Sequence, residues 1–203
     1  MLKVLIVLAA AALSNGHLQP GKKLPPFATS MYSGNVKERI KIPPTPMSDF
    51  NVLRWVGRWF FQFHKPSHSW AVSEEFTYYE KIFELQENNL INHELMRNYG
   101  VCNSVKSVWH IKGPGYFEGI DTVGDNWSGR IIVVDTDYTG FYITWGCTKW
   151  SLFSDRCEDP GVYVLTRQLE PDPAVLSCIE SALQNTFGIS VNQLIRIPHE
   201  ERC

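Results

Sequence analysis

Between Gly57 and Arg167 the chain runs as short stretches rich in Val, Ile, Thr, Tyr, Phe and Trp, separated by turn clusters, with no helical period surviving through them. That pattern belongs to an antiparallel meander. Eight strands are predicted: Gly57 to His64, Glu75 to Leu85, Leu90 to Asn98, Asn103 to Lys112, Tyr116 to Val123, Gly129 to Asp135, Gly140 to Lys149 and Gly161 to Gln168. The links include Glu87-Asn88-Asn89, Gly113-Pro114-Gly115 and Gly124-Asp125-Asn126, all suited to tight reversal. Eight strands joined in order can close into a barrel, which removes the edges an open sheet has to protect. The expected fold is therefore all-β, an eight-stranded antiparallel up-and-down barrel. Pro171 and Pro173 then open a segment in which Leu176, Ile179, Leu183 and Phe187 recur at three- and four-residue steps, one C-terminal amphipathic helix packed outside the barrel. Gly188 stops it, and Val191 to Ile197 reads as a short final strand.

The N-terminus sets the compartment. Lys3 precedes an apolar run from Val4 to Leu13, followed by the small residues Ser14 and Gly16. The run falls short of the roughly twenty residues a spanning helix needs, so residues 1–16 read as a signal peptide and the product as secreted and extracellular. No second apolar run is long enough to span. Residues 17–49 form an extended, Pro-rich arm, and residues 50–203 a single barrel domain. Without the signal the chain carries 18 basic and 21 acidic residues, a net charge of −3 that gives no footprint for nucleic acid. Asn126-Trp127-Ser128 is a glycosylation acceptor triplet in a predicted turn. The oligomeric expectation is a monomer or weak homo-oligomer.

Three motifs, in this order and spacing, resemble those of the lipocalin family, of the apolipoprotein D and bilin-binding type. Gly57-Arg58-Trp59, reached through a helical turn at Asp49 to Trp55, resembles the family's Gly-x-Trp on the first strand. Thr136-Asp137-Tyr138 resembles its Thr-Asp-Tyr turn between the sixth and seventh strands, and Arg167 resembles the lone Arg closing the eighth. The physics of the set stands without the family. Trp59 and Arg167 become neighbours only if the barrel closes, and a guanidinium over an indole contributes on the order of 0.5 to 2 kcal/mol.

The resemblance implies a carrier of one hydrophobic small molecule (bilin, retinoid, sterol or fatty-acid-like), with no cofactor and no metal. Side-chain alternation assigns Phe61 and Phe63 to the face of Trp59, and Tyr163 and Leu165 to that of Arg167. On the fourth strand Val105, Ser107, Trp109 and Ile111 form the apolar face, opposite Lys106, Val108 and His110. Phe61, Phe63, Trp109, Ile111, Tyr163 and Leu165 are thus expected to line a partly empty cup, Tyr163 also matching an aromatic ligand-contacting position of apolipoprotein D-like proteins.

Five cysteines on an oxidising route imply disulfides and one odd thiol, and about fifteen arrangements are open. The connectivity of the apolipoprotein D type cannot be copied, because no cysteine stands in the N-terminal arm or second strand. Cys147 with Cys157 across the last hairpin, and Cys102 with Cys203 as in lactoglobulin-like members, are favoured. Cys178 is then free, expected as a small buried hydrophobe on the flank of the helix facing the barrel.

Three other readings compete. A lipocalin-fold enzyme such as a prostaglandin isomerase needs a thiol in the cup, and no Ser or Cys pairs with a base at readable spacing; His64 and His68 beside a mouth loop, and His110 on an outward face, read as solvated. No enzyme activity is expected. A haem or amine binder needs a His or an acid inside, against which the apolar inward positions speak. A pigment-complex or protein-interaction subunit would use the arm.

Overall fold

The computed structural model describes residues 39–65, 76–121, 128–151 and 153–203, all within the compact unit spanning residues 34–203. The signal peptide, most of the arm, His68 and Asn126 lie outside the described residues. A short helix α1 (Val52–Trp55) leads into eight antiparallel strands: β1 (Gly57–Lys65), β2 (Phe76–Gln86), β3 (Asn89–Asn98), β4 (Val101–Gly113), β5 (Tyr116–Asp121), β6 (Ser128–Thr136), β7 (Phe141–Cys147) and β8 (Pro160–Thr166). Each pairs with the next, and β1 pairs with both β2 and β8, so the sheet closes on itself. Helix α2 (Pro173–Phe187) and the strand β9 (Ile195–Arg196) follow. The final strand is shorter than expected because Val191–Gln193 forms a 3-10 turn, fixed by a capping box between Ser190 and Gln193. Among the described residues no helix is long and apolar enough to cross a membrane.

Period-two alternation divides the apolar side chains into two cores. Trp59, Phe61, Tyr79, Phe83, Leu90, Trp109, Phe117, Ile131, Tyr142, Tyr163 and Leu165 fill the interior. Ile143, Trp145, Val162 and Val164 face outward, under Ile179, Ala182, Leu183 and Phe187 of α2. Strands β7 and β8 are therefore buried on both faces, which explains their unbroken apolar runs. Helix α2 starts at Asp172, whose carboxylate accepts from the Ala174 amide at 2.7 Å, and stops at Gly188 in the left-handed region with φ of 66°.

Phe63 corrects the expected inward set. A bulge at Gln62 shifts the register, so that Phe61 pairs with Leu165 but Phe63 pairs with Val164. One inserted residue inverts the alternation beyond it. Phe63 accordingly joins the outer core, and His64, paired with Tyr163, takes the inward place.

The wall between β1 and β2 is hydrogen-bonded only from Gly57 to Phe60. Beyond that the C-terminal tail lies between them: the Ile197 amide donates to the Gln62 carbonyl at 2.9 Å and the Glu200 amide to that of Thr77 at 3.1 Å. Ile197 is buried in the interior core. The tail ends in a Cys102–Cys203 bridge with the Cα atoms 5.7 Å apart, and Cys147–Cys157 closes the last hairpin at 5.9 Å. Cys178 is unpaired but exposed, not buried as expected. Each helical residue turns about 100°, and Cys178 stands one such step from Ile179 at the centre of the buried face, which carries it out to solvent.

Candidate functional site

The closed end of the barrel is built by the three motifs together. Gly57 takes φ of 101°, and a Cβ there would lie 3.2 Å from the Arg167 guanidinium, two reasons for glycine. The Arg167 guanidinium lies over the Trp59 ring, 3.6 Å from its centroid. It donates to the carbonyls of Arg58 (2.8 Å), Trp55 (3.0 Å), Val56 (3.0 Å), Arg54 (3.2 Å) and Tyr138 (3.1 Å). Asp137 accepts from the amides of Thr139, Gly140 and Phe141, which folds the turn so that the Tyr138 hydroxyl accepts from the Asn51 amide at 2.9 Å. Asn51 in turn caps α1.

What α1 delivers is Trp55, a residue sequence reasoning left in a helical turn. It is fully buried and plugs the barrel floor, its ring 4.3 Å from Phe83, 4.9 Å from Tyr142 and 5.8 Å from Phe117. The Trp59 indole donates to the Trp55 carbonyl at 2.8 Å. Among the described residues, Trp55 and its ring neighbours close this end.

Above this floor the structure brings Phe61, Trp109, Tyr163 and Leu165 together around the interior gap, with Ile131, Thr144, Gly146 and Lys81. Ile111 packs beside them, half-buried. That gap is about 10 Å³, room for one water.

The interior is not apolar throughout, a second correction. Lys81 of β2 and Glu94 of β3 face inward as an ion pair at 3.0 Å, with 5% and 13% of their side-chain surfaces exposed. Glu94 also accepts from the Tyr79 hydroxyl and from Asn92 Nδ2. Burial, then the adjacent carboxylate, hold the Tyr79 phenol well above its ordinary range, so it remains a donor. Asn92 and the Trp109 indole both donate to Ser107 Oγ, at 3.0 and 3.1 Å. The Lys81 ammonium faces three rings, 5.4 Å from the centroid of Trp109, 5.5 Å from Tyr79 and 5.8 Å from Phe61. The signal for this set was present: Lys81 shares its parity with Phe83, and Asn92 and Glu94 share theirs with Leu90.

His64, expected in solvent, is fully buried, its ring 6.0 Å from that of Phe61. Neither ring nitrogen meets a hydrogen-bond partner among the described residues, nor does Asn92 Oδ1. Burial lowers the His64 pKa to about 4, so it is a neutral imidazole at physiological pH. Cys102 and Cys147, the thiols a thiol-based isomerase would draw on, are each held in a bridge.

A scan of protein-family models finds no match to the sequence, and a search of curated proteins finds none either. Solved structures do match. A major allergen of cockroaches, Per a 4, superposes with a TM-score of 0.60 at 16% identity, covering 75% of this chain and 90% of its own. The amine-binding protein of Rhodnius prolixus, in its tryptamine complex, gives 0.61 at 15% identity over 77% of this chain and 86% of its own. Lobster apocrustacyanin A1 gives 0.58 at 12% identity over 77% and 89%. These neighbours are lipocalin-fold proteins, and the likeness shows that fold in this chain.

Proposed function

We propose that the protein is a secreted carrier that takes one small, largely apolar molecule with a polar end into its barrel. The observation that carries this reading is the polar set of Lys81, Glu94, Asn92, Ser107 and His64 enclosed by aromatic walls. A barrel of this size needs only apolar filling for its stability, and buried ions cost several kcal/mol each to desolvate. Buried acceptors and donors left unused, as at His64 and Asn92, ask for a partner that the described residues do not provide. Amine binding by one structural neighbour supports the fold as a holder of small molecules. Burying about 300 Å² of apolar ligand surface would supply roughly 7 kcal/mol, which after association costs corresponds to micromolar or weaker binding. Retinoids, sterols, fatty acids and bilins have the required form.

The test is a titration of tryptophan emission with a panel of these four classes. One class is expected to saturate at one equivalent, with Phe61→Ala weakening it. The buried aromatic cluster inside the barrel favours a second reading, a protein-interaction subunit in which the barrel is a scaffold. No saturable ligand, together with elution as a stable complex with another protein, would establish that reading instead.

A further inference from the structure

We propose that Lys81 is a built-in occupant of an organic-ammonium site, and is the residue that decides which charge the cup accepts. The argument depends on the interior being a binding place, as proposed above. An ammonium site in a protein combines a carboxylate with π faces directed at the cation. Both parts surround one point here. Glu94 supplies the carboxylate at 3.0 Å, and the rings of Trp109, Tyr79 and Phe61 stand 5.4 to 5.8 Å from the nitrogen. Tyr79 and Asn92 hold the carboxylate by donating to it, which fixes its position whether or not Lys81 is there. The cation at that point is the chain's own, delivered from the adjacent strand β2, where Lys81 stands directly opposite Glu94. Its four-methylene stem takes up volume beside the gap that Lys81 lines together with Phe61, Trp109 and Tyr163.

Two consequences follow for specificity. An external amine finds the carboxylate already neutralised and a like charge in its place, so the native cup discriminates against organic cations. With Lys81 gone, an uncompensated Glu94 in an aromatic box becomes a receptor for a primary ammonium. With Glu94 made neutral instead, the remaining Lys81 cation favours a carboxylate.

Lys81→Ala removes three carbons and the nitrogen, which are the atoms of n-propylammonium. Calorimetric titration of the folded protein with n-propylammonium is expected to show saturable binding to Lys81→Ala, at least tenfold tighter than to the native protein or to Lys81→Ala/Glu94→Gln. n-Propanol, which lacks the charge, is expected not to bind. Should the alanine variant fold only poorly, n-propylammonium is expected to restore its far-ultraviolet spectrum, and Lys81→Val with ethylammonium gives an independent reading. Equal affinity in the three proteins, binding of propanol as tight as that of the cation, or an unfolded variant that no ammonium rescues would overturn the proposal. The outcomes separate it from the carrier reading. A native protein that carries a ligand while Lys81→Ala gains no ammonium affinity refutes only the role of Lys81; the reverse refutes only the carrier.

Discussion

His64 makes the stability of the fold dependent on pH in a direction and size that the structure defines. In the unfolded chain this imidazole titrates near 6.5, whereas burial brings it to about 4 in the folded protein. Between those values the unfolded state takes up a proton that the folded state refuses, so stability is complete above about pH 6.5 and declines as the pH falls toward 4. A difference of some 2.5 units at about 1.4 kcal/mol each gives a total loss of about 3 kcal/mol, of which between about 2 and 3 kcal/mol is lost by pH 4.5. The assay is urea unfolding with the bridges intact, from pH 7.5 to 4.5, on the native protein and His64→Leu. Leucine removes the two unpaired nitrogens without adding a charge, so the variant is expected to match or exceed the native stability at pH 7.5. The informative quantity is the change in the difference between the two proteins. His199, also lowered chiefly by burial, is common to both and cancels. Parallel stability curves for the two proteins would refute the burial argument.

Arg167→Lys keeps a charge but gives up the planar fork that reaches five carbonyls and the Trp59 face; the unfolding free energy from denaturant titration is expected to fall by about 3 kcal/mol, and an unchanged midpoint would contradict the role given to the closed end. Phe61→Ala is expected to weaken ligand binding in the emission titration, while Phe63→Ala, whose ring packs under α2, lowers stability by about 3 kcal/mol and leaves the affinity of the folded fraction unchanged. Cys178, exposed and unbridged, is expected to react with a thiol reagent in the native protein with one equivalent, and Cys178→Ser to shift stability by less than about 0.5 kcal/mol; a masked thiol would place it elsewhere.

The fold was legible wherever a local pattern sufficed. Alternation gave the strands to within a few residues, and the meeting of Trp59 with Arg167 followed from closure alone. Both bridges agree with the favoured pairing. The site was harder to read because its parts depend on relations between strands. The bulge at Gln62 shows only in the offset between β1 and β8, yet it exchanges Phe63 for His64 on the inner face. Lys81 and Glu94 come from different strands, and each alone looks like an ordinary solvated residue; only their shared parity with Phe83 and Leu90 places them inside. Trp55 was hidden for another reason: in a four-residue helix the direction of a side chain is set by the cap and by the Tyr138 turn, not by periodicity.

The central claim is that the barrel interior is a place for a ligand. Native mass spectrometry of the protein purified from its own source tests it most directly. The account predicts a mass above that of the bridged polypeptide by one small molecule, released on unfolding; the bare polypeptide mass alone, from gently handled material, would contradict it.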